Sequence, residues 1–345
     1  MSDKEELWGC GDNNRGQLGL FSIPNVFRPN IKRFKKNSAV SVCAGHHHTI
    51  LIDNQDKAWA CGDNSSGQLG IEKSTQRQYT PHIVPNLPPV KAVASHIYHS
   101  LFLDQEGFVW SCGRNQYGQS GLGDCEARSK LEKITNLPPI QAVGCGQRFS
   151  IFLDTQGNVW GAGDNHTQCI GKESTSTPKM IEGIPKIKSI SVGEFHNGFI
   201  TEENQLILFG YNEENQLGPN CQLRFLDATT ENRIDLPPIN KISCYSGGSM
   251  ILADDGSLWN FGNTSFGQWS DNKLVEEHPV FVDFVSGEYH SIFACDNGAV
   301  MTAGTNRRGC LGIGNTLLNP PSAFHILPNV SVNIRENVPK NARNC

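Results

Sequence analysis

The sequence predicts an all-β fold: a seven-bladed β-propeller with four-stranded blades, closed by joining the N- and C-terminal strands in one blade. Three observations lead to it. The 345 residues include 35 Gly and 18 Pro but only 18% charged side chains, a composition of short strands joined by tight turns. One motif recurs seven times along the chain, and a second alternates with it six times. The period is near fifty residues, as in propellers and solenoids, and no composition break divides the chain, so residues 1–345 read as a single domain.

The first motif is clearest in Trp8–Gly19, Trp59–Gly70 and Trp110–Gly121, which share Trp-x-Cys-Gly-x-Asn-x-x-Gly-Gln. Weaker copies span Trp160–Gly171, Ile207–Gly218, Trp259–Ser270 and Met301–Gly312, so repeat units begin near residues 8, 59, 110, 160, 207, 259 and 301. Their central glycines are Gly11, Gly62, Gly113, Gly163, Gly210, Gly262 and Gly304, separated by 51, 51, 50, 47, 52 and 42 residues. Strand alternation puts Trp59 and Cys61 on one sheet face and Ala60 and Gly62 on the other, so the Trp fills the gap between blades. The Asn two residues after the central Gly bonds the backbone of its own turn.

The second motif reads Val-x-x-Gly-x-x-His-Ser/Thr, an apolar strand, then Asp-x-x-Gly. It occupies Val42–Asp53, Val93–Gly107, Val143–Gly157, Ile190–Asn204, Ile242–Gly256 and Phe284–Gly298. Each motif supplies two strands of a blade. Asp104–Gly107 and Asp154–Gly157 are hairpin turns, in which Gly takes a positive φ and Asp bonds the turn.

Seven copies of one half and six of the other mean that the chain starts at the third strand of a blade. Ile326–Ile334 then falls where a first strand would lie, so the two ends are expected to share a blade and remove its edges. Val330–Cys345 contains neither Gly-x-x-His-Ser nor Asp-x-x-Gly, so that blade is expected to be incomplete, with 335–345 a frayed tail.

Composition excludes several functions. A net charge of −5 and a pI near 6.1 give no general attraction to phosphate backbones, which argues against direct DNA binding. The longest apolar runs are strand length, too short for a membrane helix. Twelve Cys without a Cys-x-x-Cys pair or a signal peptide fit a reducing compartment, cytoplasmic or nuclear. Cys10, Cys61 and Cys112 share one repeat position, as small buried side chains do. His46-His-His48 suggests a metal site, but His48 is the repeat's structural His, matched by His99, His196 and His290 and replaced by Phe149 and Gly248. Lys32–Lys36 reads either as an import signal or, from its place on an outer strand or loop, as solvated charge. No catalytic residue set, metal or cofactor is expected, and the chain is expected to act as a monomer that binds protein.

The paired motifs resemble those of the regulator of chromosome condensation family, and the resemblance covers nearly the whole chain. That family includes guanine-nucleotide exchange factors for the small GTPase Ran, as well as propellers attached to ubiquitin ligases and kinases. The resemblance implies that a Ran-like GTPase docks on the Gly-x-x-His loops. The corresponding positions are His46 and His47, Ile97 and Tyr98, Gln147 and Arg148, Glu194 and Phe195, Ser246 and Gly247, and Glu288 and Tyr289. Three features depart from the family's exchange factor. Glu194 and Glu288 belong to separated copies, no long insertion offers a wedge, and the basic tail is replaced by the acidic Met1–Glu6. The alternative is an interaction scaffold or adaptor without exchange activity, built on an aromatic and cationic patch of Tyr98, Arg148, Phe195 and Tyr289.

Overall fold

The computed structural model describes residues 7–20, 25–32, 39–72, 76–230, 232, 234, 236–263, 280–306, 308–314 and 324–331. Met1–Glu6, Arg33–Lys36 of the basic run and the expected tail 335–345 lie outside them.

The described strands form six blades and one hairpin. The hairpin comprises β1 (Leu7–Asp12) and β2 (Asn25–Lys32). Blade one comprises β3 (Ala39–Ala44), β4 (His48–Asp53), β5 (Ala58–Asp63) and β6 (Arg77–Ile83). Blade two comprises β7 (Val90–Ser95), β8 (His99–Asp104), β9 (Val109–Gly113) and β10 (Arg128–Lys133). Blade three comprises β11 (Ile140–Cys145), β12 (Phe149–Asp154), β13 (Val159–Gly163) and β14 (Thr175–Met180). Blade four comprises β15 (Ile187–Val192), β16 (His196–Thr201), β17 (Leu206–Tyr211) and β18 (Phe225–Leu226). Blade five has β19 (Ile239–Tyr245), β20 (Gly248–Ala253) and β21 (Leu258–Gly262) among the described residues. Blade six comprises β22 (Phe281–Ser286), β23 (His290–Cys295), β24 (Ala299–Gly304) and β25 (His325–Ser331).

Six blades correct the expected seven, and β25 gives the reason. That segment was expected to begin a blade shared with the N-terminus. It pairs instead with β24, Met301 opposite Ile326 and Thr302 opposite His325, and becomes the outer strand of blade six. Among the described residues β1 pairs with β2 alone, so β1 and β25 belong to different sheets.

The ring closes by side-chain packing. Cys61 Sγ and Cys112 Sγ donate to the Gln17 and Gln68 carbonyls of the preceding turns at 3.6 and 3.5 Å, and Cys10 Sγ donates likewise to the Cys310 carbonyl at 3.4 Å. Arg308 of blade six pairs with Asp12, just as Arg15 pairs with Asp63 of blade one at 3.3 Å. The hairpin therefore contacts blades six and one through the bonds by which blades contact each other.

Inside a blade, the two motifs are tied together covalently and by hydrogen bonds. Trp59, Trp110 and Trp160 donate their indole N–H to Asp53, Asp104 and Asp154 of the hairpin turns at 2.8, 2.9 and 3.1 Å, while Trp110 and Trp160 also pack against inter-blade cores. Asn64 Oδ1 accepts the Leu69 N–H at 3.1 Å, with the same bond at Asn13, Asn115, Asn165, Asn212 and Asn306. Gly62 holds φ +111° because a Cβ there would collide with the His47 carbonyl on the paired strand. Between blades, apolar residues such as Phe102, Phe152 and Phe199 are fully buried, each contributing about 2–3 kcal/mol by leaving water.

Candidate functional site

Antiparallel strands sort the loops onto two ends of the ring. The Gly-x-x-His loops join first to second strands, and the Gly-x-Asn-x-x-Gly turns join third to fourth strands, so both lie at one end. The Asp-x-x-Gly hairpins lie at the other.

The shared residues under these loops form a relay between blades. His48 Nε2 lies 3.0 Å from Ser100 Oγ, His99 Nε2 3.0 Å from Ser150 Oγ, and His196 Nε2 2.9 Å from Ser249 Oγ. Each Ser hydroxyl donates its single hydrogen to a turn carbonyl, of Gln68, Gln119 and Gln216 respectively. The histidine Nε2 must therefore be the protonated donor and Nδ1 bare. Burial drives all three rings down to about 3. The motif's Gly makes room for the ring: at Gly193 a Cβ would lie 2.7 Å from His196 Cε1.

Above the relay, the variable loop residues form two zones. The inner zone bridges the channel mouth. His46 Nδ1 lies 3.3 Å from Glu288 Oε2, and Gln147 Nε2 donates to Glu194 Oε1 at 2.6 Å, while Ser246 Oγ donates to the other Glu194 oxygen. Burial, then the nearby Glu288, raises the Glu194 carboxyl, while the bonds from Ser246 and Gln147 and the charge of His46 oppose that rise. His47 stacks edge-on against His46 at 4.3 Å and is lowered by burial, then by His46 and Arg15.

The outer zone is aromatic and cationic. Arg114 lies over the Tyr98 ring at 5.0 Å and Arg148 over the Tyr117 ring at 4.7 Å, with Arg148 also 3.7 Å from Asp164. Phe195 packs edge-on against Tyr211 at 6.0 Å, and Tyr211 against Phe225 at 5.7 Å. Tyr289 is 38% exposed.

The structure thus joins His46 to Glu288, and Gln147 and Ser246 to Glu194, with both groups within electrostatic reach of each other, and places Tyr98, Arg148 and Phe195 in separate ring contacts. Sequence reasoning missed Arg114, Tyr117, Tyr211 and Phe225. For Arg114, Tyr117 and Tyr211 the signal was the variable positions of the Gly-x-Asn-x-x-Gly turns, which antiparallel pairing places at the same end, whereas Phe225 lies on β18 outside either motif. His46, His47 and His48 do not converge, because His48 turns inward to Ser100 while His46 faces Glu288. Among the described residues no group of three His, Cys, Asp or Glu is placed to hold a metal, and no helix is long and apolar enough to cross a membrane.

The profile of the RCC1-like domain matches residues 1–231. The human X-linked retinitis pigmentosa GTPase regulator is 32% identical over 78% of this chain and 27% of its own length. The human probable E3 ubiquitin-protein ligase HERC6 is 29% identical over 81% of this chain and 24% of its own. The chain therefore spans about a quarter of the length of these relatives. Among solved structures, yeast RCC1 (Prp20) bound to Kap60 superposes with a TM-score of 0.83 at 22% identity, covering 95% of this chain and 85% of the other, a likeness of fold.

Proposed function

The chain belongs to the family of RCC1-like domains, and from that premise we propose that its Gly-x-x-His end docks a small GTPase of the Ran type and promotes nucleotide exchange. The observation that carries this reading is the division of the mouth into two zones: acidic Glu194 and Glu288 at the centre, and Tyr98, Arg114, Tyr117, Arg148 and Phe195 around them. Half-buried aromatics and arginines supply binding energy on a protein surface. A carboxylate held over the channel supplies an anion that competes for a GTPase side chain otherwise engaged with phosphate.

Such an activity needs no covalent chemistry. A propeller that prefers the nucleotide-free GTPase lowers nucleotide affinity by the same factor by which nucleotide lowers affinity for the propeller. The test is release of a fluorescent GDP analogue from Ran and related small GTPases. At least a tenfold acceleration is expected, reduced by Glu288→Gln. Failure to bind any of them overturns the reading.

The second reading is an interaction scaffold without exchange. It is favoured by Glu194, whose two carboxylate oxygens are already taken by Gln147 and Ser246. Tight GTPase binding with unchanged GDP release selects it.

A further inference from the structure

At the joins between copies, the strand residue before the central glycine meets the glutamine of the preceding turn. Cys61 and Cys112 point at the Gln17 and Gln68 carbonyls in this way. The glutamine side chains fold back to cap their own turns, with Gln17, Gln68, Gln119 and Gln216 accepting the backbone N–H two residues earlier at 2.9, 2.9, 3.0 and 3.0 Å. Two copies put cysteine in the glutamine's place, Cys169 and Cys310, and a thiol, a weak acceptor without an amide's reach, does not supply that cap. Cys169 donates instead to the Phe195 carbonyl at 3.0 Å, and the strand position across its join is Phe209.

Cys310 differs because the copy that follows it around the ring is the first. The strand position there is Cys10, so of the joins that the repeats define, this one alone sets cysteine against cysteine. The two lie 300 residues apart in sequence, yet Cys10 Sγ is 3.4 Å from the Cys310 carbonyl. A Cβ on the adjacent Gly11 would lie 3.6 Å from both the Cα and the Sγ of Cys310. The thiols are close enough to sense each other's charge: burial, then Cys310, pushes Cys10 up to about 11. Both side chains are half-buried, whereas Cys125 is exposed and the other described cysteines are buried. The same join carries the Arg308–Asp12 ion pair.

We propose that Cys10 and Cys310 form a redox modification site, a thiol pair that a small disulfide oxidises to a covalent bond between the N-terminal hairpin and blade six. One cysteine, as thiolate, attacks a sulfur of oxidised glutathione, giving a mixed disulfide and releasing one glutathione thiol. The second cysteine attacks the protein sulfur of that mixed disulfide, forming the Cys10–Cys310 bond and releasing the second glutathione thiol. Two protein thiols thereby lose two electrons and two protons, and the two glutathione thiols carry them away. A link across 300 residues restricts the unfolded chain more than a short loop does, so the bond stabilises the ring. The site is separate from the GTPase reading, because it lies at a join between copies and not on the Gly-x-x-His loops.

The test incubates the folded full chain with oxidised glutathione, at about pH 8.5 because the raised thiols yield few thiolates at neutral pH. Free thiols are then blocked, and the digested protein is mapped by mass spectrometry without reductant. The peptides holding Cys10 and Cys310 are expected to be joined, and the thermal unfolding midpoint to rise by about 4 °C, reversibly on adding reductant. Cys310→Gln installs the residue of Gln17 and Gln68, and Cys10→Ala the residue of Ala162 and Ala303, so both variants are expected to fold and to lose the rise. Cys125→Ser is expected to keep it. Recovery of Cys10 and Cys310 unlinked, as free thiols or as separate glutathione adducts, overturns the proposal. A link that leaves the midpoint unchanged, or a rise that persists in Cys310→Gln, overturns it as well.

Discussion

Between pH 7 and pH 5 the protein is expected to lose roughly 6 kcal/mol of stability, because the rings that tie its blades together take a second proton only well below that range. His48, His99 and His196 are fully buried, their Nε2 hydrogens are committed to Ser hydroxyls, and their Nδ1 atoms make no hydrogen bond. Burial holds all three down to about 3. An unfolded histidine binds its proton near pH 6.5. Protons therefore favour the unfolded chain from about pH 6.5 down to about 3: the stabilisation is complete above that window and disappears as pH falls through it. Once the unfolded rings are protonated, each contributes a slope of roughly 1.4 kcal/mol per pH unit, so three give about 4. A domain stable by about 5–15 kcal/mol does not withstand that for many units. Thermal unfolding midpoints at pH 7, 6 and 5 measure the effect. Replacing His99 and Ser150 by Phe and Asn, the pair the chain itself uses at Phe149 and Asn197, is expected to flatten the slope. A midpoint unchanged across the range contradicts the relay.

The second large effect concerns blade five, where the motif is inverted. Its Gly position holds Tyr245 and its His position holds Gly248. The Tyr245 ring occupies the space that a side chain at 248 would need, since a Cβ on Gly248 would collide with the Tyr245 hydroxyl, and that hydroxyl donates to Asn260 at 2.9 Å. Gly248→His alone is therefore expected to destabilise severely by overpacking. Tyr245→Gly alone leaves a cavity and a buried Asn without its donor, at a cost of about 3–5 kcal/mol. The double variant restores the ordinary Gly-x-x-His arrangement beside Ser291. Denaturant unfolding is expected to show it more stable than either single variant, with a coupling of roughly 2 kcal/mol or more. Additive losses would mean that the two positions do not share one space.

This inversion marks how far the sequence could be read. The repeats were legible because their roles are local: Asn64 bonds its own turn, Asp53 caps its own hairpin, and Gly62 answers to the strand beside it. The Gly-x-x-His end was legible for the same reason, since strand alternation alone puts the loops of all copies together. The substitutions Phe149 and Gly248 looked like lapses of the motif because their compensations, Asn197 and Tyr245, lie in the next copy or three residues earlier. Blade count was not legible, because β25 could be read as the outer strand of blade six or as the first strand of another blade, and no local motif chooses between them. The outer zone at the mouth was missed because Arg148 meets Tyr117 from the preceding copy, a contact set by the curvature of the ring.

Shared residues build the ring, and the proposed partner surface is made of the loop residues in which the copies differ. The most direct measurement is the affinity of a nucleotide-free Ran-type GTPase for the full chain and for variants at its two ends. Tyr98→Ala combined with Tyr289→Ala, and Arg148→Glu separately, are expected to weaken binding at least tenfold without moving the unfolding midpoint. Phe108→Ala, at the exposed hairpin end, is expected to leave it unchanged. Loss of affinity from Phe108→Ala with the loop variants binding normally would place the working surface at the opposite end of the ring and contradict the claim.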